Sequence, residues 1–451
     1  MSKAKKGSGK GEKFDVAVVG AGIYGLAAAY RLAKAGRRVV IFEKDRKPGG
    51  LSAVFAVGGS YAEEYHHFTS VHDDALFGLY KELGIEEGIG WQYGRTANWV
   101  DGGLHSFSNP LDVFRFPKLT MVDRLRFAFA FAVIQSCTRW KLLEGISVER
   151  FIRRFAGNRS YELVWAPLME SKFEGHAQDI PMSWLWARSR RRVGSKRDRE
   201  KGQLFGYFKG SLKLLIDRLV EEIGKNGVQL RMGEGVRRVV SRGGAVSAVE
   251  TGKGSYSCRS VLFTAPLPCF LEAVNGLRDE LERRIRAIDY QAILNVVMIT
   301  KRNLSDYFWI NALSRDVPFP GIIELTRLRD PSELGGRHLI YLPRYIPKDS
   351  RLYRLPDGEV IDVFLRGVKR VIPTYDEKDV IECRVFRNDY ADPFYTLNYS
   401  RKMPPHETGI AGLFLGNTAQ IYPDTRSAHN SIKYATKVAR MVNDFLGSPG
   451  R

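Results

Sequence analysis

Residues 16–25 (VAVVGAGIYG) constrain the fold more than any other stretch of this 451-residue chain. Val16, Ala17, Val18 and Val19 have the apolar, β-branched character of a strand buried on both faces, and Leu26 to Ala35 have the propensity and period of a helix. Between them stands Gly-x-Gly-x-x-Gly. Gly20 permits a tight turn, Gly22 lets the backbone approach a pyrophosphate, and Gly25 lets helix and strand pack closely. The anion then sits on the helix N-terminus. Gly36 ends the helix, Arg38 to Phe42 form a second strand, and Glu43 closes it where a ribose hydroxyl pair needs a carboxylate. The whole unit fills about 30 residues, the span of one βαβ dinucleotide-binding element.

The next segment chooses among dinucleotides. Glu43 to Ser52 (EKDRKPGGLS) resembles the extension of FAD-binding oxidoreductases, where a basic residue, here Arg46, and a Gly-Gly pair, here Gly49 and Gly50, reach the second phosphate and the ribityl chain. One Gly-x-Gly-x-x-Gly is present, so no second dinucleotide domain for a nicotinamide cofactor is visible.

The length suggests two to three domain-sized units. No apolar run reaches the roughly 18 residues of a spanning helix; the closest, Phe127 to Ile134, is bounded by Arg126 and Gln135. A net charge of +20 favours anionic partners: phosphorylated or nucleotide-linked substrates, an acidic bilayer surface, or nucleic acid. Nucleic acid is set aside, because the sequence has no helix-turn-helix, no zinc pattern and no basic groove interleaved with aromatics. Cys137, Cys258, Cys269 and Cys383 are scattered, with no Cys-x-x-Cys and no His at ligand spacing. They read as reduced core residues of a cytoplasmic protein without a metal site. Residues 1–13, rich in Lys, Gly and Ser, read as a flexible basic tail rather than a signal peptide.

From Ser60 to about Gln203 the pattern shifts from βαβ to longer helical stretches rich in Trp, Phe and Arg. Residues 91–106 read as a hairpin turning at Asp101-Gly102-Gly103, Asp123 as the entry of an amphipathic helix, and residues 148–155 and 159–169 as further helices. Arg188 to Lys201 is a basic loop, either a solvated surface or an electrostatic lid over an anionic substrate. The expected class is therefore α/β. A Rossmann-like FAD-binding domain is assembled from residues 14–60, 204–268 and 410–447, with an inserted α+β substrate domain from residues 61–203 and 269–409.

With these pieces in order, the chain resembles the amine-oxidase-type flavoprotein superfamily, which includes protoporphyrinogen oxidase, phytoene desaturase, monoamine oxidase and, more distantly, UDP-galactopyranose mutase. The resemblance is carried by His66-His67-Phe68, by Leu163 to Phe173 (LVWAPLMESKF) and most specifically by Gly412 to Tyr422 (GLFLGNTAQIY). It implies FAD contacts from Gly20, Gly22, Gly25, Glu43, Arg46, Gly49, Gly50, Val236, Gly416 and Asn417. Asn417 stands where the family usually has an acid. The N-terminus of a last helix, Ser427 to Phe445, is implied to face the flavin.

The resemblance leaves three functions open. In the first, hydride passes between a substrate carbon and flavin N5. His66 and His67 are the candidate base and orienting groups, with Tyr395 and Tyr422 as phenolic neighbours. Adjacent histidines on a strand face opposite ways, so at most one is expected to point at the cofactor, the alternative being one packed and one exposed. In the second, a non-redox isomerase like UDP-galactopyranose mutase, Arg327, Arg344 or Arg426 holds a diphosphate. In the third, the chain is a flavoprotein-like binding module without catalysis. The composition suits a long apolar or lipid-linked substrate with an anionic head, met by a cytoplasmic protein that is peripheral on the inner face of an acidic membrane.

Overall fold

The computed structural model describes residues 13–107, 110–116, 118–192, 197–198 and 201–448. Residues 1–12 of the expected basic tail, and 193–196 and 199–200 of the expected basic loop, lie outside the described residues.

The βαβ unit forms as its sequence dictates, with strand Lys13–Val19, helix Ile23–Lys34 and strand Val39–Glu43. Lys13–Val19 lies at the centre of a seven-stranded sheet, parallel to Val39–Glu43 on one side and Ser255–Phe263 on the other. Gln229–Met232 extends one edge in parallel. On the other side, the C-terminal half of Ser255–Phe263 pairs in parallel with Leu413–Leu415, and its N-terminal half pairs with the antiparallel meander Ala245–Thr251 and Val236–Arg242. The period of two sorts the central strands. Val16, Val18, Val39, Ile41 and Leu262 pack on one face with helices Ile23–Lys34, Lys213–Lys225 and Ala428–Gly447. Ala17, Val19, Val40, Phe42, Val261 and Phe263 join the core on the other face.

A second seven-stranded sheet runs Val380–Pro393, Tyr290–Thr300, His338–Ile346, Gly321–Glu324, Trp309–Ala312, Thr96–Val100 and Gly103–Ser106. It is antiparallel except where Trp309–Ala312 lies parallel to Thr96–Val100. Leu294, Val296, Ile340 and Leu342 face helix Asp357–Val371, whose Val360, Phe364 and Val368 are fully buried. The hairpin at Asp101-Gly102 forms with both residues at positive φ, +47° and +81°, as a two-residue turn between twisted strands requires. The hairpin is shorter than expected, because Ile89–Gly94 pairs with Gly202–Phe208 instead.

Three local expectations are corrected. Thr120, not Asp123, caps helix Met121–Ser136; Asp123 is the third helical residue and returns the hydrogen bond as the other half of a capping box. The helix expected over 159–169 runs from Asn158 to Phe173, with a π turn at Tyr161–Trp165. The first part of the expected basic loop continues helix Met182–Arg192.

Phe364 packs against Phe319 with ring centroids 5.7 Å apart and is fully buried. Phe364→Ala is expected to lower the unfolding free energy by about 3–5 kcal/mol in denaturant titration while leaving flavin content unchanged.

Candidate active site

A single cavity of about 1160 Å³ runs from the glycine turn to the second sheet. At the turn Gly20 has φ +109°, and a Cβ there would lie 2.7 Å from Thr264 Oγ1. A Cβ on Gly25 would lie 1.9 Å from the Gly20 carbonyl oxygen, so this glycine sets the helix–strand spacing and does not line the cavity. Gly22 differs. A Cβ there would meet no atom nearer than Gly49 O at 4.0 Å, so its Cα fronts open space. Helix Ile23–Lys34 starts at Gly22 with no side-chain cap and no acid in its first turn, which leaves its first N–H groups for an anion.

Glu43 lies at the end of the second strand and lines the cavity. Its two carboxylate oxygens accept hydrogen bonds from Ala21 N at 2.7 Å and Asp45 N at 3.0 Å, and each keeps a lone pair for a ribose hydroxyl. Gly49, at φ +123°, bridges to Gly22, and Gly50 and Val236 complete this part of the wall. At the far side Ser427 caps helix Ala428–Gly447 by accepting from Asn430 N, and Arg426, Ser427 and Ala428 line the cavity, so the positive end of this helix faces it. An uncapped helix start, a glycine facing open space, an anchored carboxylate and a second helix N-terminus fit FAD.

Several expected residues stand elsewhere. Arg46 is exposed and off the cavity wall. Gly416 lies against the Tyr24 ring, where a Cβ would come within 2.7 Å of the hydroxyl. Asn417 reaches the wall, but its carboxamide is engaged with Ala265 O and Ala419 N at 3.0 Å each, so it acts as a cap. Tyr395 and Tyr422 are buried with Tyr399 in an aromatic cluster away from the wall. The Tyr422 hydroxyl lies 2.6 Å from Ser183 Oγ, and the Tyr395 hydroxyl donates to Thr418 O. Arg327 is held by Ser305 O and Asp306. Arg344 pairs with Glu174; alternation along its strand puts Pro343 and Tyr345 on the cavity and turns Arg344 away.

Both histidines line the cavity. Residues 66–68 have no strand conformation, so alternation does not separate the pair. His67 Nδ1 lies 2.6 Å from the Tyr65 carbonyl oxygen, which can only accept; Nδ1 therefore carries the proton and Nε2 is left as an acceptor. The His66 ring meets Trp309 edge-on at 5.2 Å. Burial, then the neighbouring His67 and Arg426, hold His66 down to about 3, and burial and Arg426 hold His67 down to about 4.

Of the three expected arginines only Arg426 reaches the cavity, and Arg188, from the start of the expected basic loop, reaches it too; sequence reasoning missed Lys172. The three gather at the cavity wall around one carboxylate, Asp392. The Lys172 ammonium lies 3.8 Å from the Tyr345 ring centroid, and the Arg188 guanidinium 4.2 Å from that of Trp184. Arg426 donates to the Tyr345 hydroxyl at 3.2 Å and stands 3.8 Å from Asp392. Nε of Arg188 and Nε of Arg426 are buried without a hydrogen-bond partner among the described residues. Burial, aided by Arg188, pushes Lys172 down to about 7. A signal existed: Trp165, Leu168, Met169 and Lys172 share one helix stripe, so a lone cation sits on an apolar face.

Residues 24–443 match the family described as flavin containing amine oxidoreductase. Mitochondrial protoporphyrinogen oxidase of Nicotiana tabacum is 42% identical over 115 residues, 25% of this chain and 23% of that protein. Amine oxidase B of Sus scrofa is 33% identical over 112 residues, 25% of this chain and 21% of that one. The curated relatives are thus matched over a quarter of their length or less. Among solved structures, reduced UDP-galactopyranose mutase superposes with a TM-score of 0.75 at 15% identity, covering 97% of this chain and 98% of that one. Cyclohexylamine oxidase of Brevibacterium oxydans gives 0.71 at 15% identity, covering 97% and 100%. These two likenesses are of fold.

Two outcomes follow from the geometry. Gly22→Val is expected to fold yet lose FAD, read as visible absorbance of the purified protein, whereas Gly25→Ala is expected to lower soluble yield. The histidines are neutral in the fold and titrate near 6.5 when unfolded, so their contribution to stability is present above pH 6.5 and is lost as pH falls from there toward 4. Thermal melts should therefore show a falling Tm over that window, with a shallower slope in His66→Gln/His67→Gln.

Proposed function

The chain belongs to the flavin-containing amine oxidoreductase family and so binds FAD, and from that premise we propose that it is an FAD-dependent oxidoreductase acting on a substrate with an apolar body and an anionic head. The observation that carries this reading is the cluster of Lys172, Arg188 and Arg426 around the single carboxylate of Asp392. Buried charge without a counter-charge is costly, and an anion entering the cavity relieves it. An amine would meet repulsion at the same place, which is discrimination by like charge. Phe127, Trp165, Leu168, Met169 and Trp309 give the remaining wall its apolar character.

We assign residues 14–60, 204–268 and 410–447 to FAD binding and residues 61–203 and 269–409 to the substrate. Gly20, Gly22, Glu43, Gly49, Gly50 and Val236 would hold the dinucleotide, and the N-terminus of helix Ala428–Gly447 would stabilise negative charge on the ring. When bound, FAD supplies a two-electron acceptor for a substrate C–H. Arg188 and Arg426 clamp the head group and exclude water from it. Lys172 completes the clamp when protonated. His67, neutral with its Nδ1 proton held by Tyr65, orients a substrate hydrogen-bond donor through Nε2. An apolar, anion-headed molecule resides in or on a bilayer, and the net charge of +20 supports a peripheral position at the acidic inner face of the membrane.

The test is anaerobic titration followed at the flavin absorption band. Among apolar carboxylates and phosphates, substrates are expected to bleach the flavin stoichiometrically and non-reacting ligands to shift its band, while amines leave it unchanged; bleaching by amines alone overturns the reading. Conversion of an anionic substrate without net electron flow assigns the site to an isomerase, and binding with no conversion to a non-catalytic module. Arg426→Ala is expected to weaken anion binding by about 10- to 150-fold, the loss of a charge-assisted hydrogen bond. Lys172 is charged below about 7, so wild-type anion affinity is expected to fall as pH rises through that value, and the profile of Lys172→Met to be flat.

A further inference from the structure

We propose that the outward face of helix Met121–Ser136 docks flat on an anionic bilayer, with the substrate cavity opening at its edge; this rests on the apolar, anion-headed substrate proposed above. Of the ten large hydrophobic side chains exposed among the described residues, six lie between positions 121 and 142. Met121, Val122, Leu125 and Phe129 are 58%, 64%, 58% and 58% exposed, and Leu142, just beyond the helix, is 68% exposed. Ala130 and Ile134 of the same helix are buried, so the helix is apolar on its outer face as well as its inner one. In water such a face is left without a partner.

Three observations select a bilayer as that partner. Between positions 115 and 142 the sequence carries Arg115, Lys118, Arg124, Arg126, Arg139 and Lys141 against one acid, Asp123, which the capping box occupies; Lys118 pairs with Asp101 at 2.6 Å, and the other five cations leave the face basic. A second copy of this chain would bring like charges face to face, whereas an acidic lipid surface complements them. The helix is about 24 Å long at 1.5 Å per residue and flanked by cations, and no helix of the described residues is long and apolar enough to span a membrane, so this one lies in the interface. Finally, Phe127, Ala128 and Phe131 line the cavity while Phe129 points outward, which makes the docking face continuous with the cavity rim. An acyl or isoprenoid chain can then pass from lipid to cavity along apolar side chains.

The test is flotation of the FAD-loaded full chain with vesicles of phosphatidylcholine alone or with phosphatidylglycerol, alongside decanoate binding read from perturbation of the flavin spectrum. Wild type is expected to float with the anionic vesicles and to be released by salt. Leu125→Glu/Phe129→Glu is expected to lower vesicle affinity by about tenfold or more, with flavin content and decanoate affinity unchanged. Equal flotation of variant and wild type, or no flotation of wild type, overturns the docking inference even if decanoate binds. Loss of decanoate binding with flotation intact overturns the substrate reading instead. A wild-type dimer that the substitutions convert to monomer assigns the face to a second copy and also overturns the inference.

Discussion

The uncapped start of helix Ile23–Lys34 is the constraint that the rest of the structure serves. Its first N–H groups have no side-chain acceptor, and Gly22 in front of them faces empty space. Buried donors without partners are costly, so a sequence that builds this arrangement requires an anion to complete it. The glycines around it divide the work. Gly25 is closed against the Gly20 carbonyl and fixes the approach of helix to strand, while Gly22 leaves room. Glu43, anchored by two backbone N–H groups, stands beside it at the end of the second strand, where we propose that a dinucleotide ribose binds.

From that fixed point the cavity extends between two sheets of different character. The first is parallel at its centre and buried on both faces, with strands drawn from widely separated segments that meet on Ser255–Phe263. The second is almost wholly antiparallel and brings Trp309 and Tyr345 to the far end of the cavity. Helix 158–173 and helix Met182–Arg192 bring Lys172 and Arg188 to the same end, and the chain entering the last helix brings Arg426. No single segment holds the cluster. Its charge imbalance is a property of the assembled fold, and the proposed anionic substrate rests on it.

Elements whose cause is local were legible in the sequence. The βαβ unit, the Asp101-Gly102 turn and the last helix each follow from a few adjacent residues, and each formed. What was not legible depends on distant partners. Arg188 reads as part of a basic loop, either solvated or a lid, yet it lies in a helix and its guanidinium stacks on Trp184 at the cavity wall. Arg344 and Arg426 look equivalent as sequence, but strand alternation turns the first toward Glu174 and the chain entering the last helix turns the second inward. The histidine pair looked like a strand whose members part; with no strand there, both rings face the cavity. Tyr395 and Tyr422 read as phenolic neighbours of the flavin, but packing with Tyr399 and Ser183 holds them away from the wall.

The most direct test of the account is the visible spectrum of the purified full chain, recorded before and after adding decanoate. A yellow protein with one FAD per chain, whose flavin band shifts saturably with the carboxylate and not with an alkylamine, is the predicted result. A protein that is colourless and takes up no FAD on reconstitution contradicts it.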